Sequence, residues 1–470
     1  MERLIETGHI IAKNSAEVLH SRIGIGFEKL DRDVFDPEKA YDRVAALGVK
    51  WVRIQSGWAK TEKEKGVYDF AWLDRVVDQL LVRGLEPWLC LCYSNGLYNE
   101  KAKSRFGAVG APPIHYEEER VGWRNYVIAT VKHFKGRVRW YEVWNEPDGD
   151  FITWDYASNA TEYGELALTT AQVIKAADPD SKVIGGAFCT RNIHFVDEAL
   201  ATGMGAAVDA LSFHEYTPDE TRVPETVGYL TAIGQMYNPH MAVVQGESGS
   251  QSSSKGAGAL AGGSWTPLKQ AKQLLRHTVM DLSTEVLFTS YFSCMDMIEA
   301  LHGKVGDEAS ILDYGYFGVL GADFDAQGRS VGSYTPKPSY YALQNLASLF
   351  AGDVKNEVLP IVKERCESHR IFGMDCSDPT IVVRGFRKPN GAAAVAYWNA
   401  VNLMTTTCES TLSFRCAGLP GEVRLVDPMS GKIYRLPDAM CEPHGENRWF
   451  LRNLPLLDYP LLITFGDFCS

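Results

Sequence analysis

The chain has 470 residues, 45% of them hydrophobic and 23% charged, which is the balance of a globular protein with ample core and more than one ordinary domain. A net charge of -12 argues against a nucleic-acid partner, since such proteins usually carry a basic face that releases counterions from phosphate. No apolar run reaches the ~18 residues that a membrane-crossing helix needs, so no membrane partner is expected.

The opening MERLIETGHIIAKNSAEVLH scatters charges through what would be the apolar core of an export signal, so a cytoplasmic location is expected. Residues 1–21 have no counterpart in the pattern that follows and are expected to pack on the C-terminal domain, adding a strand to it. From 22 to 350, short β-branched apolar runs alternate with longer stretches of helical period. The runs predict strands at 22–27, 49–55, 85–93, 138–146, 182–188, 208–216, 241–247 and 285–292. Helices are predicted at 37–48 and 70–84, each closed by a glycine, and at 117–134, 161–177 and 336–350.

Repeated βα units over 22–350 predict a closed (β/α)8 TIM barrel. The alternative, an open doubly wound sheet, should show G-x-G-x-x-G after its first strand, and GIGFEKL does not fit that pattern. Two long connections, 94–115 and 293–335, follow strands three and eight at the face where barrel enzymes build their sites, and are expected to wall a pocket. The glycine and serine rich loop that opens SGSQSSS after strand seven is expected to be mobile. Residues 351–470 change texture to short strands with close turn signals, such as DPMSGK between two alternating runs, and predict a C-terminal all-β sandwich domain.

Ten cysteines are too dilute for a disulfide scaffold, and none forms a C-x-x-C pair or joins a histidine at zinc-ligand spacing. Cys90 and Cys92 alternate along one strand and read as reduced core residues.

Chemistry enters at WYEVWNEPD, where a strand ends on Glu146 and Pro147 turns the backbone away. Alone this is a turn after a core strand. Strand seven, MAVVQGES, also ends on a carboxylate, Glu247, and three βα units of roughly 30 to 35 residues span the interval between the two. The pair would then face each other across the barrel mouth, an arrangement suited to glycosidic bond cleavage, with one carboxyl as proton donor and the other stabilising or attacking the anomeric carbon. Aromatic neighbours such as Trp144 would desolvate Glu146 and favour its protonated form, whereas a permanent cation would keep a nucleophile ionised.

Strand four ending W-N-E-P and strand seven ending Q-G-E-S resemble the retaining glycoside hydrolases of clan A. With the sandwich behind the barrel, the outline is most like glycoside hydrolase family 39 and relatives, including β-xylosidases. The resemblance implies Glu146 as acid/base, Glu247 as nucleophile, Asn145 as donor to the sugar 2-hydroxyl, and Arg53 as the cation that keeps the nucleophile ionised. It also implies that Tyr216 donates to Glu247 and that His214, two residues before it on strand six, touches sugar. Glu142 would point into the barrel below the substrate, and Glu215 toward the helices. Many clan A enzymes floor the sugar with a tryptophan near the end of strand eight. Here EVLFTSYFSC offers only Tyr291 and Phe292, so Tyr291, or a loop tryptophan (Trp265, Trp154 or Trp58), is the expected substrate-binding aromatic.

The expected partner is a carbohydrate, with no cofactor and no metal, and assembly into a homo-oligomer stays open. The long loops lead to an expectation of exo-action on short substrates. Two other classes remain: a carbohydrate-binding protein on an inactive barrel, and a metal-dependent barrel hydrolase, which would need histidine and carboxylate ligands at strand ends.

Overall fold

The computed structural model describes residues 4–99, 112–149, 158–302, 311–364, 370–371, 374–375, 380–407, 409–419 and 421–470. A first strand, β1 (Ile5–His9), precedes eight parallel strands that close a barrel: β2 (Ile23–Gly26), β3 (Trp51–Gln55), β4 (Glu86–Leu91), β5 (Trp140–Val143), β6 (Lys182–Phe188), β7 (Ala210–His214), β8 (Ala242–Ser248) and β9 (Thr289–Tyr291). Closure is made where Ile23 and Ile25 of β2 pair with Thr289 and Tyr291 of β9. The chain is thus a (β/α)8 barrel followed by C-terminal antiparallel sheets.

The helices follow the sequence period with one shortfall. Ala71–Leu81, Glu117–Phe134, Ala160–Ala177 and Pro338–Leu349 form as expected, but 37–48 yields only a 3-10 turn, Pro37–Lys39, and the short helix Tyr41–Ala45. At the end of the Ala71–Leu81 helix, Gly84 takes φ 76°, and a β carbon there would lie 2.6 Å from the Ala16 backbone. The N-terminal segment can cross at this point because residue 84 has no side chain.

The helix Pro267–Leu282 is missing from the sequence reading because it has no polar face. Every residue from Gln270 to Leu282 is buried. It lies between the barrel and the C-terminal sheets, and its charges are paired: Lys272 Nζ with Asp458 at 2.8 Å, and Arg276 with Glu220, which also accepts from Trp398 Nε1 at 2.7 Å. Among the described residues no helix is long and apolar enough to cross a membrane.

Among the described residues the C-terminal sheets are antiparallel and two in number, apart from a separate two-stranded ribbon. The larger has seven strands, ordered β1, Lys432–Arg435, Val423–Asp427, Leu461–Phe465, Ala393–Asn399, Ile381–Arg387 and Lys355–Asn356. The smaller runs Ile361–Lys363, Glu409–Ala417, Arg448–Leu457, Cys441–Pro443. Glu409–Ala417 alternates exposed and buried positions as a strand with one core face does. Across the interface Tyr397 packs on Phe414 at 5.0 Å and donates to the Pro455 carbonyl at 2.8 Å. The DPMSGK turn joins Val423–Asp427 to Lys432–Arg435, with Gly431 at φ 74°.

The barrel interior is layered. Trp88, Ile184, Ala210, Val244 and Phe288 plug its N-terminal end. Above them the Arg53 guanidinium sits 5.4 Å from the centre of the Trp88 ring, so a charged layer begins where the apolar plug ends. The loop after β8 is not the free tether its glycines and serines suggest. Gln251 Nε2 donates to the carbonyls of Ala257 and Ala259, and the Ser252 and Ala257 amides donate to Tyr316 and Tyr314. Backbone hydrogen bonds across two loops override the local composition. The connection after β9 folds into two hairpins, Met297–His302 with Ile311–Gly315 and Leu320–Phe324 with Ser330–Pro336. Most of the 94–115 loop lies outside the described residues.

Candidate active site

The alternating pattern of β5 reads through to Glu146, but the strand ends at Val143. Trp144 and Glu146 both take left-handed backbone conformations, φ 69° and 49°. Such conformations cost a non-glycine residue on the order of 1–3 kcal/mol and collect at functional sites. They break the ladder and send successive side chains to different neighbours. Trp144 is buried against Tyr93 and Trp123, at 5.6 and 5.9 Å between ring centres. Asn145 turns to accept from Arg53 Nη2 at 2.8 Å. Glu146 stands at the rim, accepting from or sharing a proton with His214 Nδ1 at 2.8 Å.

Glu247 comes from β8, beside a register shift that sets it against His214 of β7. Its Oε1 accepts from Arg53 Nη1, and its Oε2 accepts from the Tyr216 hydroxyl at 2.7 Å and lies 3.5 Å from His214 Nδ1. One oxygen of Glu146, one of Glu247 and a His214 ring nitrogen all lie within 4.8 Å of one another. Arg53 is fully buried and divides its donors: Nε and Nη2 reach Glu142 at 2.8 and 2.7 Å, Nη2 also reaches Asn145, and Nη1 holds Glu247. A planar fork can serve three partners at once in a way that an ammonium cannot.

The surroundings push the two glutamates apart. Burial raises the Glu146 carboxyl above its ordinary value, and the charge of Glu247 adds to that, against the hydrogen bond from His214. Burial also pushes Glu247 upward, but the charges of His214 and Arg53 and the Tyr216 hydrogen bond outweigh it, leaving Glu247 below the usual carboxylate range. One group is therefore disposed to hold a proton and its neighbour to lose one, the division that acid/base and nucleophile roles require. His214 is raised: burial opposes its charge, but Glu247 and the Glu146 hydrogen bond prevail.

Six of the eight candidate residues thus meet: Arg53, Asn145, Glu146, His214, Tyr216 and Glu247. Tyr291 and Trp265 do not join them. Tyr291 is buried and its hydroxyl is directed at the Ser250 carbonyl, 3.4 Å away, because strand parity gives Phe292 the opposite face. Phe292 packs on Tyr216 and Phe317, with ring centres 6.3 and 5.4 Å apart, and so supplies the aromatic at this end of the barrel. Trp265 is also buried and folds back on its own loop, donating to the Leu260 carbonyl at 2.8 Å. Trp58 is a core residue bonded to Glu62, and Trp154 lies outside the described residues.

Glu142 lies inside the barrel, bonded to Arg53 and Ser212, and Glu215 pairs with Arg191. Cys90 and Cys92 are free and buried with sulfurs 3.7 Å apart, and Cys90 donates to the Trp144 carbonyl at 3.2 Å. Sequence reasoning missed Glu28, which reaches the charged layer just beyond β2. The only sequence signal was an acidic residue closing an otherwise apolar strand, IGIGFE.

Comparison with known proteins converges on this barrel. Residues 39–234 match the model for glycosyl hydrolases family 39, a span holding Arg53, Asn145, Glu146, His214 and Tyr216. A β-xylosidase from Geobacillus stearothermophilus is 30% identical over 164 residues, covering 33% of this chain and 31% of that enzyme, so the sequence match spans about a third of the relative. A solved GH39 β-xylosidase from Caulobacter crescentus aligns over 97% of this chain and 98% of its own at TM-score 0.58 and 20% identity. The GH39 enzyme from Xanthomonas axonopodis pv. citri aligns over 97% and 95% at TM-score 0.60 and 17% identity. At these identities the structural likeness is one of fold. Over residues 39–234 the barrel sequence is thus similar to glycosyl hydrolases family 39.

Proposed function

We propose that the protein is a retaining glycoside hydrolase that acts by double displacement and releases β-linked xylose or a related sugar from the end of short substrates. The reading is carried by one observation: Glu146 and Glu247 bring oxygens within 4.8 Å of each other while their surroundings drive their proton affinities in opposite directions. That closeness fits the ~5–5.5 Å carboxyl separation of retaining enzymes, not the ~6.5–9.5 Å that leaves room for an attacking water.

In the first step Glu247 attacks the anomeric carbon as Glu146 gives its proton to the leaving oxygen. Arg53 and Tyr216 hold the nucleophile ionised and aimed. Loss of the aglycone leaves Glu146 as a carboxylate, which takes a proton from water as that water displaces Glu247 from the sugar. Asn145, anchored by Arg53, is placed to meet the 2-hydroxyl. The choice of xylose rests on the names of the similar β-xylosidases, and exo-action on the long connections after β4 and β9.

Incubation with an activated 2-deoxy-2-fluoro-xyloside, followed by peptide mass spectrometry, tests the reading. The expected adduct is one fluoroxylosyl group on the peptide carrying Glu247. Label on a different carboxylate, or turnover of xylosides by a Glu247→Ala variant at the wild-type rate, would sink it.

A further inference from the structure

The charged layer holds more acid than its cations can neutralise. Three buried carboxyls, Glu28, Glu142 and Glu247, and the partly buried Glu146 surround one permanent cation, Arg53, and one titratable ring, His214. Glu142 accepts from Arg53 and Ser212, Glu247 from Arg53 and Tyr216, and Glu146 meets His214. Glu28 has none of this. It is fully buried, among the described residues no other residue donates a hydrogen bond to either of its oxygens, and its nearest cationic atom is Arg53 Nη1 at 3.6 Å. That same nitrogen holds Glu247.

Glu28 is also built into place. Its carboxyl fills the space above Gly26, where a β carbon would lie 2.1 Å from one oxygen and 2.6 Å from the other. Only glycine at 26 lets the side chain fold back toward Arg53. The other groups facing it are Glu247 from β8, Cys294 from the segment after β9 and Lys29 from its own turn; Lys29 Nζ is committed to Glu299 at 2.9 Å. An isolated buried carboxylate is costly enough that such a group ordinarily keeps its proton.

We propose that Glu28 is a positioning residue for the nucleophile: as a neutral acid it leaves Arg53 Nη1 to Glu247, and as a carboxylate it competes for that nitrogen and loosens Glu247. This rests on Glu247 being the nucleophile. In keeping with it, burial and the charge of Glu247 push the Glu28 carboxyl up to about 8, with Arg53 opposing. Glu28 would then ionise at the alkaline edge of the working range.

The test pairs kinetics with a readout that needs no turnover. Glu28→Gln keeps the shape of the neutral acid and cannot ionise. The ratio of kcat/KM for this variant to that of wild type is expected to rise about tenfold between pH 6 and pH 9, the loss of protonated form for a group titrating near 8. The wild-type minus variant infrared difference spectrum of the unliganded protein, in which Glu146 and other carboxyls common to both cancel, should show a protonated-carboxyl band that fades over the same range. A purely structural role would lower Tm without moving the alkaline limb. A ratio that stays flat with pH, or a wild-type minus variant spectrum at pH 6 without the band, overturns the proposal. If Glu247 is not the nucleophile, the infrared titration still reports on Glu28 while the fluoroxyloside label falls elsewhere.

Discussion

Replacing Tyr216 with phenylalanine removes one hydrogen bond and little else. Phe292 and Phe317 pack edge-on against the ring at 6.3 and 5.7 Å, and both contacts survive the change. The lost bond is the 2.7 Å contact to Glu247 Oε2. Hydrogen bonds to charged groups are worth about 1.5–3 kcal/mol, and losing this one raises the proton affinity of Glu247. Arg53 and His214 continue to favour the ionised form, so the lower end of that range applies.

The sign follows from the folded protein. Glu247 is held below its usual range, so catalysis is lost as the pH falls through that depressed value. Weakening the hold raises the value, and the acid limb of kcat/KM moves upward. At the optimum, kcat/KM is expected to fall about tenfold, the equivalent of ~1.4 kcal/mol of lost transition-state stabilisation. The assay is the pH profile of aryl β-xyloside hydrolysis for both proteins. An unmoved acid limb with kcat/KM within about twofold of wild type would refute the role given to this hydroxyl.

Glu146→Ala should cut hydrolysis of xylosides with poor leaving groups by about a hundredfold or more, and far less for activated aryl xylosides, which need no proton in the first step. Azide should restore turnover with a β-xylosyl azide as product, detectable by NMR; no azide adduct and equal losses on both substrates would count against an acid/base role. Away from the site, Lys272→Ala leaves Asp458 buried without its 2.8 Å cationic partner and should cost about 3–5 kcal/mol, read as a lower Tm and denaturant midpoint. Replacing both residues with leucine or methionine should recover most of that loss, and failure to recover would mean that the pair does more than balance charge.

The barrel was legible because its signals are redundant. Each parallel strand is largely apolar and each is followed by a helix, so shortening one helix, as at 37–48, leaves the count intact. Glu146 and Glu247 were legible because each lies close to the C-terminal end of its strand, at an interval that fits three such units. Asn145, Arg53, His214 and Tyr216 came from the family resemblance, to which strand parity added only that His214 and Tyr216 share a face.

What failed lay where local pattern does not govern. The left-handed turns at Trp144 and Glu146 carry no glycine to announce them, so β5 was read three residues too long. Tyr291 and Phe292 differ by one position on a short strand, and their facing depends on the barrel's closure with β2, which no local signal specifies. Trp265 was assigned to sugar on chemistry alone, and its burial against its own loop depends on tertiary contacts. The helix Pro267–Leu282 hid because residues that read as a solvated face are instead paired with distant partners.

The pairing of β1 with Lys432–Arg435 has a temporal side. β1, made before the barrel, occupies the edge of the seven-stranded sheet, and its partner is synthesised only after the whole barrel; Lys432 reaches Glu6 across a separation of 426 residues. At typical synthesis rates of ~5–20 residues per second, the strand waits on the order of tens of seconds for that partner. During this time the barrel can close, but β1 has no neighbour, and its ladder groups must be kept from pairing with another chain. Its pattern suits the wait: Glu6, Gly8 and His9 lie among its five residues, and most of its positions are exposed even in the finished protein. β1 therefore leaves the ribosome long before it can be seated.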